Sequence, residues 1–423
     1  MRKYARYKDS GISWIGDVPE HWVSCSLRKY LSFVSDKGHP DEQLLSVTRE
    51  QGVIIRNKES KEENHNFIPE DLSGYKLVKK GQFAINKMKS WQGSYAVSEY
   101  TGIVSPAYYI CDLRFEYKPF FNWAIRSKAY IPFFTMFSKG IRVDQWDLSP
   151  IGLKSIPFFE PPLSEQKAIA EYLDKKTAQI NELVSAKQKQ IELLKEYKQS
   201  VIANAVTGKM NKNRRMKDSG ISWIGKIPEN WDVHYLFQKV REHFISNKEI
   251  HHQNLLSLSY GRIIQKDINK TDGLLPESFD TYQIVENGNV VLRLTDLQND
   301  HKSLRVGYVT QEGIVTSAYE CLEVFDKSLY SKFFYYQLHS FDVKKMFYGM
   351  GGGLRQNISY NELRKIRIAC PPLSEQKEIV AYIEKKVSSI DFQIASIENQ
   401  IANLNEYKQN LISDVVTGKV KVC

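Results

Sequence analysis

The chain has 423 residues, too many for one ordinary core, and carries 59 Lys and Arg against 49 Asp and Glu, a formal net charge of +10. A hydrophobic fraction of 42% and an aromatic fraction of 12% exclude a disordered chain, and the basic excess points either to a polyanion partner or to a solvated basic surface. The five cysteines, Cys25, Cys111, Cys321, Cys370 and Cys423, are widely spaced and lack any CxxC, so they are expected as reduced thiols and neither a disulfide frame nor a zinc site. The opening MRKYARYKDS has no apolar core of signal-peptide length and no run approaches a membrane span, so a cytoplasmic protein without a membrane partner is expected.

The chain is written twice. Residues 8–22, KDSGISWIGDVPEHW, and 217–231, KDSGISWIGKIPENW, agree at twelve of fifteen positions. PPLSEQK at 161–167 recurs at 371–377, and EYK and VTGK recur in step downstream. Each copy opens with a short segment whose Trp14, Ile15, Pro19 and Trp22, or Trp223, Ile224, Pro228 and Trp231, form an apolar latch for docking a globular module on a long helix. The middle of each copy has strand-like runs, 82–86 and 103–111 in the first and 290–293 and 314–324 in the second. LLS at 44–46 matches 255–257, and GIVSPAY at 102–108 matches GIVTSAY at 313–319, so register survives through the variable part. The expected fold class is mixed α+β: two similar globular domains, 1–160 and 210–370, alternating with two long helices, 161–209 and 371–423.

The helices have legible ends and a legible seam. Pro161 and Pro162 disfavour an earlier start, Ser164 and Ser374 are candidate caps, Glu165 and Glu375 suit the positive end of the dipole, and Gly208 and Gly418 supply left-handed stops. Apolar positions recur by four and three at Leu173, Ile180, Val184, Ile191 and Leu194, and at Ile383, Ile390, Ile394, Ile401 and Leu404, with Thr177, Lys187, Lys198, Val387 and Lys408 in the same stripe. A heptad sustained this long is a coiled-coil seam, and each helix is the natural partner of the other; the alternative is a helix packed only on its own domain. A helix of this length spans roughly 60 Å, whereas a domain of this size is about 40 Å across. The second globular region links the end of one helix to the start of the next, so antiparallel pairing is expected, with a pseudo-two-fold axis across the rod and Met1 beside Cys423.

Two like modules on a basic chain, related by a two-fold, match a duplex with two half-sites. Side chains able to reach base edges or phosphates cluster in turn-rich segments: Lys87, Lys89, Trp91, Gln92 and Tyr95, then Arg142, Gln145 and Trp146, in the first copy; Arg293, Thr295, Asp296, Gln298 and Asn299, then Arg355, Gln356 and Asn357, in the second. Arg, Lys, Gln and Asn make bidentate contacts to guanine or adenine; an exposed polar loop residue is the alternative for each. The basic linker around Arg214 and Arg215 either touches phosphate or is a solvated connector. Glu165 to Lys167 and Glu375 to Lys377 spell only half of a nuclease signature, no phosphate loop is present, and no catalytic or metal-binding residues are expected.

The opening S-x-W-I-G-x-x-P-x-x-W, the PPLSEQK helix start and the V-T-G-K helix end, in both copies, resemble the specificity subunit of type I restriction-modification enzymes over the whole chain. The resemblance implies that each globular region is a target recognition domain reading one half of a split, asymmetric double-stranded DNA sequence. It also implies that the helices bind two methyltransferase subunits, which carry the methyl donor and modify adenine, while restriction subunits add ATP- and Mg-dependent translocation and cleavage; the chain itself binds no cofactor. A stand-alone DNA-binding repressor and a self-contained restriction or modification enzyme are the competing readings.

Overall fold

The computed structural model describes residues 2–57, 68–140, 146–210, 213–268, 278–300, 303–350 and 357–422. The two prolines of each PPLSEQK set the helix starts at Leu163 and Leu373, and the helices run Leu163–Val206 and Leu373–Val416. Ser164 and Ser374 therefore stand inside the first turn and are not the caps. The Pro162 carbonyl accepts from the N–H groups of Glu165 and Gln166 instead, as that of Pro372 does from Gln376. Gln166 and Gln376 fold back to donate to the carbonyls of Pro161 and Pro371, at 2.9 and 2.7 Å, which explains the glutamine of the motif.

At the other end Gly208 (φ 72°) and Gly418 (φ 76°) take the left-handed conformation. The N–H of Gly208 bonds to the Ala205 carbonyl and that of Lys209 to Asn204, with the same pair at Gly418 to Val415 and Lys419 to Asp414, the double closure of a Schellman end. A Cβ on either glycine would also lie 2.3 Å from a proline of the same unit, Pro228 or Pro19, so close approach and φ both demand glycine.

The chain divides into two compact units, Met1–Lys187 with Glu398–Cys423, and Gln188–Ile397. The core of the first takes in Ile169, Leu173 and Ile180 from the start of the first helix together with Leu411, Ile412, Val415 and Val416 from the end of the second. The core of the second takes in Ile202, Ala205 and Val206 with Ile379, Val380 and Ile383. Each unit is thus built from one helix start and one helix end, and within each the two helices run antiparallel. All ten apolar seam residues named from the sequence are buried or half-buried. The lysines of the seam reach across it: Lys187 to Gln400 (2.6 Å) and Lys408 to Asn181 (2.9 Å) in the first unit, Lys198 to Asp391 (2.7 Å) in the second.

Each unit holds a four-stranded antiparallel sheet of the same order: Leu31–Val34, Tyr108–Leu113, Phe83–Asn86 and Tyr95–Val97 in the first; Val240–Glu242, Glu320–Val324, Val290–Leu292 and Val306–Tyr308 in the second. The long apolar runs at 103–111 and 314–324 each split into two strands, because the N–H of Tyr108 turns back to Ser105 and that of Tyr319 to Thr316. A hairpin, Leu45–Thr48 with Gly52–Ile55 or Leu256–Ser259 with Arg262–Gln265, packs beside each sheet. The repeated GIV follows from close backbone approach: a Cβ on Gly102 would lie 2.3 Å from the Gln43 carbonyl and one on Gly313 2.5 Å from that of Asn254. Arg2 and Lys421 form an antiparallel bridge, whereas Met1 and Cys423, expected as neighbours, lie outside the described residues. Cys25, Cys111, Cys321 and Cys370 are free thiols, and burial pushes that of Cys111 up to about 12. Among the described residues no helix is long and apolar enough to cross a membrane.

The seam makes a direct stability prediction. Ile390 is 3% exposed and Phe392, two residues on, 76%. Ile390→Ala is expected to cost about 2–4 kcal/mol and Phe392→Ala less than about 0.5 kcal/mol, read from urea unfolding of the whole chain; equal losses would place Ile390 outside the seam.

Candidate nucleic-acid interface

Each four-stranded sheet carries one loop between its third and fourth strands, and most of the sequence-derived candidates fall on it. In the first unit this loop is 87–94. The Lys87 ammonium donates to Asp147 at 2.7 Å, and that bond raises its pKa above the ordinary lysine value against the opposing effect of burial. The Leu148 N–H bonds to the Lys87 carbonyl, which clamps the loop to the strand Asp147–Leu148. The clamp brings Trp91 and Trp146 together, ring centroids 5.6 Å apart. Lys89 is exposed beside them and Gln92 half-buried. Tyr95 is not part of this surface: it is the first residue of the next strand, buried, its ring stacked on Phe134 at 3.8 Å. Alternation in the strand turns it into the core. Arg142 and Gln145 lie outside the described residues.

In the second unit the loop is longer, 293–305, and more tightly held. Leu294 and Leu297 are buried, while Gln298 and Asn299 are exposed. Asp296 stands at φ 56°, a conformation that asparagine and glycine tolerate better. Its N–H bonds to the Asn357 side chain at 3.1 Å, and its carboxylate accepts from Asn299 at 2.7 Å. Arg293 pairs with Asp300 at 3.0 Å, and the Thr295 carbonyl accepts from Arg305. Asp296, Thr295 and Asn357 therefore shape the loop, and Gln298 and Asn299 are its exposed side chains, Asn299 with its amide N–H given to Asp296. Arg355 and Gln356 lie outside the described residues.

Two arginines that sequence reasoning missed hold these features in place. Arg305 is fully buried, and its guanidinium donates to the carbonyls of Arg293, Thr295 and Asp300 and to the Tyr348 hydroxyl, at 2.6–3.2 Å. Arg126 in the first unit donates to the carbonyls of Arg49 and Glu50, at 3.1 and 2.8 Å, fixing the tip of the neighbouring hairpin. The available signal was a lone cation in or beside an apolar run, Leu304–Val306 for Arg305 and the end of Phe120–Ile125 for Arg126. Arg214 also changes role. It pairs with Glu375 and bonds to Asn230, so it is a tether within its unit and neither a phosphate contact nor a solvated linker.

Glu165 and Glu375 do more than complement a helix dipole. Glu165 accepts from Tyr4, His21 and Trp22, and Glu375 from Arg214, Asn230 and Trp231. In the opening segments Trp22 and Trp231 are fully buried and bonded to the helix starts, whereas Trp14 is exposed and donates to the Ala129 carbonyl of its own globular region.

Residues 266–403 match the family described as the Type I restriction modification DNA specificity domain. The chain is 22% identical, over 96% of both sequences, to a protein of Methanocaldococcus jannaschii that carries the name type I restriction enzyme MjaX specificity subunit. Its fold is that of an HsdS subunit from Thermoanaerobacter tengcongensis (TM-score 0.50, 15% identity, covering 95% of this chain and 98% of that one). A chain from a study of complex assembly and conformational transition of the type I R-M system agrees more closely (TM-score 0.66, 13% identity, covering 95% and 99%). Doubled fold, latches and sequence are thus each similar to those of specificity subunits of type I restriction-modification systems.

The scaffold under the second loop titrates. Burial pushes the Asp342 carboxyl up to about 6, against the opposing bond from the Arg305 N–H and the nearby charges of Lys345 and Arg305. The folded state then holds this proton more tightly than the unfolded chain, so its contribution is full below the ordinary pKa of 3.8 and lost as pH rises to about 6. His339, lowered to about 4 by burial and by Lys198, acts the other way over nearly the same range. Comparing Asp342→Asn with the parent isolates the aspartate: the variant is expected to gain stability relative to the parent, on the order of 2–3 kcal/mol, as pH rises from about 4 to 6. Urea midpoints across that range check it, and parallel curves would refute it.

Proposed function

We propose that the chain is the non-catalytic DNA-specificity subunit of a type I restriction-modification complex, each unit reading one half of a bipartite, asymmetric target. The observation that carries this reading is one sheet-and-loop frame folded twice with unlike loops, Lys89, Trp91 and Gln92 in one and Gln298 and Asn299 in the other. Lysines and arginines neutralise phosphates and fix register, while the loop side chains meet base edges. Two methyltransferase subunits dock on the chain and, through them, restriction subunits. The methyl donor, ATP and Mg belong to those partners, and the assembly works in the cytoplasm.

The test is reconstitution with the methyltransferase followed by mapping of methylated adenines. The complex is expected to modify one two-part sequence; Gln298→Ala with Asn299→Ala should relax one half only, and Gln92→Ala the other, each weakening binding about 10- to 100-fold. Binding should also fall about a thousandfold or more between 50 and 200 mM salt for six or more phosphate contacts. Methyl transfer by the chain alone would make it an enzyme in its own right. Specific binding without any recruited methyltransferase would make it a stand-alone DNA-binding protein.

A further inference from the structure

The hairpin Leu256–Ser259 with Arg262–Gln265 in the second unit turns on two residues, Tyr260 and Gly261, with φ of 47° and 76°. Two successive positive φ angles define the tight turn that suits a twisted hairpin, and its first position belongs by preference to Asn, Asp or Gly. A tyrosine there is strained, because its Cβ crowds the following carbonyl. Tyr260 is 78% exposed, and its ring has no ring or hydrogen-bond partner among the described residues. The fold thus spends strain to hold an aromatic ring in solvent, and no packing among the described residues accounts for it.

The tip stands beside the candidate reading loop. A Cβ on Gly261 would lie 2.9 Å from Leu304, the neighbour of Arg305, and 3.6 Å from the Val306 carbonyl. Arg305 is the arginine that gathers the carbonyls of Arg293, Thr295 and Asp300, so the tip and the 293–300 turn rest on one support. Arg262 and Lys266, both exposed, flank the exposed Ile264 along the outward face of the same hairpin. Two cations on that face favour a polyanion over an apolar protein surface. The equivalent tip of the first unit is Arg49, Glu50 and Gln51, with no aromatic residue.

We infer that Tyr260 is a second specificity-determining contact of this unit: its ring packs on a base pair adjoining those met by Gln298 and Asn299, while Arg262 meets the neighbouring phosphate. The inference rests on the DNA-reading function proposed above and adds to it a hairpin tip outside the loop. An aromatic ring contributes a flat apolar face to a thymine methyl or an exposed base, which the amides of the loop do not supply.

The experiment uses the full chain reconstituted with its methyltransferase, comparing the parent, Tyr260→Asn and Tyr260→Phe on a randomised DNA library and by thermal unfolding. Tyr260→Asn is expected to unfold at the same or a higher temperature and to retain the methyltransferase. It should nevertheless lose about tenfold or more in affinity for the parental site and relax base preference at one or two adjacent positions in one half. Tyr260→Phe should behave as the parent. A Tyr260→Asn complex with unchanged site and affinity overturns the inference while the parent's two-part target leaves the DNA-reading function standing. Loss of the methyltransferase from that variant would make the tip a protein contact and overturn it as well. A parent complex without sequence preference would remove both.

Discussion

In each unit one tryptophan grips two helices. Trp22 donates its indole N–H to Glu165 in the first turn of one long helix, while the far edge of its ring lies 3.2 Å from where a Cβ on Gly418, at the end of the other, would stand. Trp231 does the same with Glu375 and Gly208. A single side chain fastened to a start and an end forces antiparallel pairing in each unit, whatever the seam alone would prefer. The bonds are charge-assisted and largely shielded from water, the setting in which a hydrogen bond contributes about 1.5–3 kcal/mol. At Glu375 burial pushes the pKa up, yet the bonds from Arg214, Trp231 and Asn230 outweigh it and hold the carboxyl below its usual range.

With the helices gripped, the two sheets repeat each other in strand order, while the loops between their third and fourth strands differ. The loop of the first unit is short and clamped from outside by Lys87 and Asp147. That of the second is longer and tied from inside by Arg305, whose hydrogen bonds to the loop itself go to backbone carbonyls and leave side-chain identity there open. Fixing a loop through its carbonyls lets Gln298 change without loss of loop shape, whereas Asn299 also ties the loop through its bond to Asp296. The DNA-reading function proposed above would need that separation of target from frame.

The frame was far more legible in the sequence than the site. Heptad spacing exposed the seam because burial in a coiled coil obeys a strict period, and the repeated motifs marked helix starts and ends because prolines and left-handed glycines have few alternatives. The helix caps were misread at Ser164 and Ser374, since a proline carbonyl can take the cap's place without any side-chain signature. On the loops no period exists. Tyr95 has the composition of a contact residue, and only its place one residue into a strand sends it to the core. Arg305 has the composition of a surface cation, and only the carbonyls curled around it make burial tolerable. Loop polarity is visible in a sequence; which polar group is consumed by the loop itself is decided by geometry.

The first unit is discontinuous, since its core is closed by Leu411, Ile412, Val415 and Val416, the last full turns of the chain, whereas the second unit is a single stretch ending at Ile397. During synthesis the ribosome must therefore release residues 411–416, the end of the second long helix, before the amino-terminal half has its interior complete. The half made later is able to fold sooner, and for most of translation the half made earlier keeps an apolar groove uncovered, a window in which chaperones, or premature termination, decide its fate.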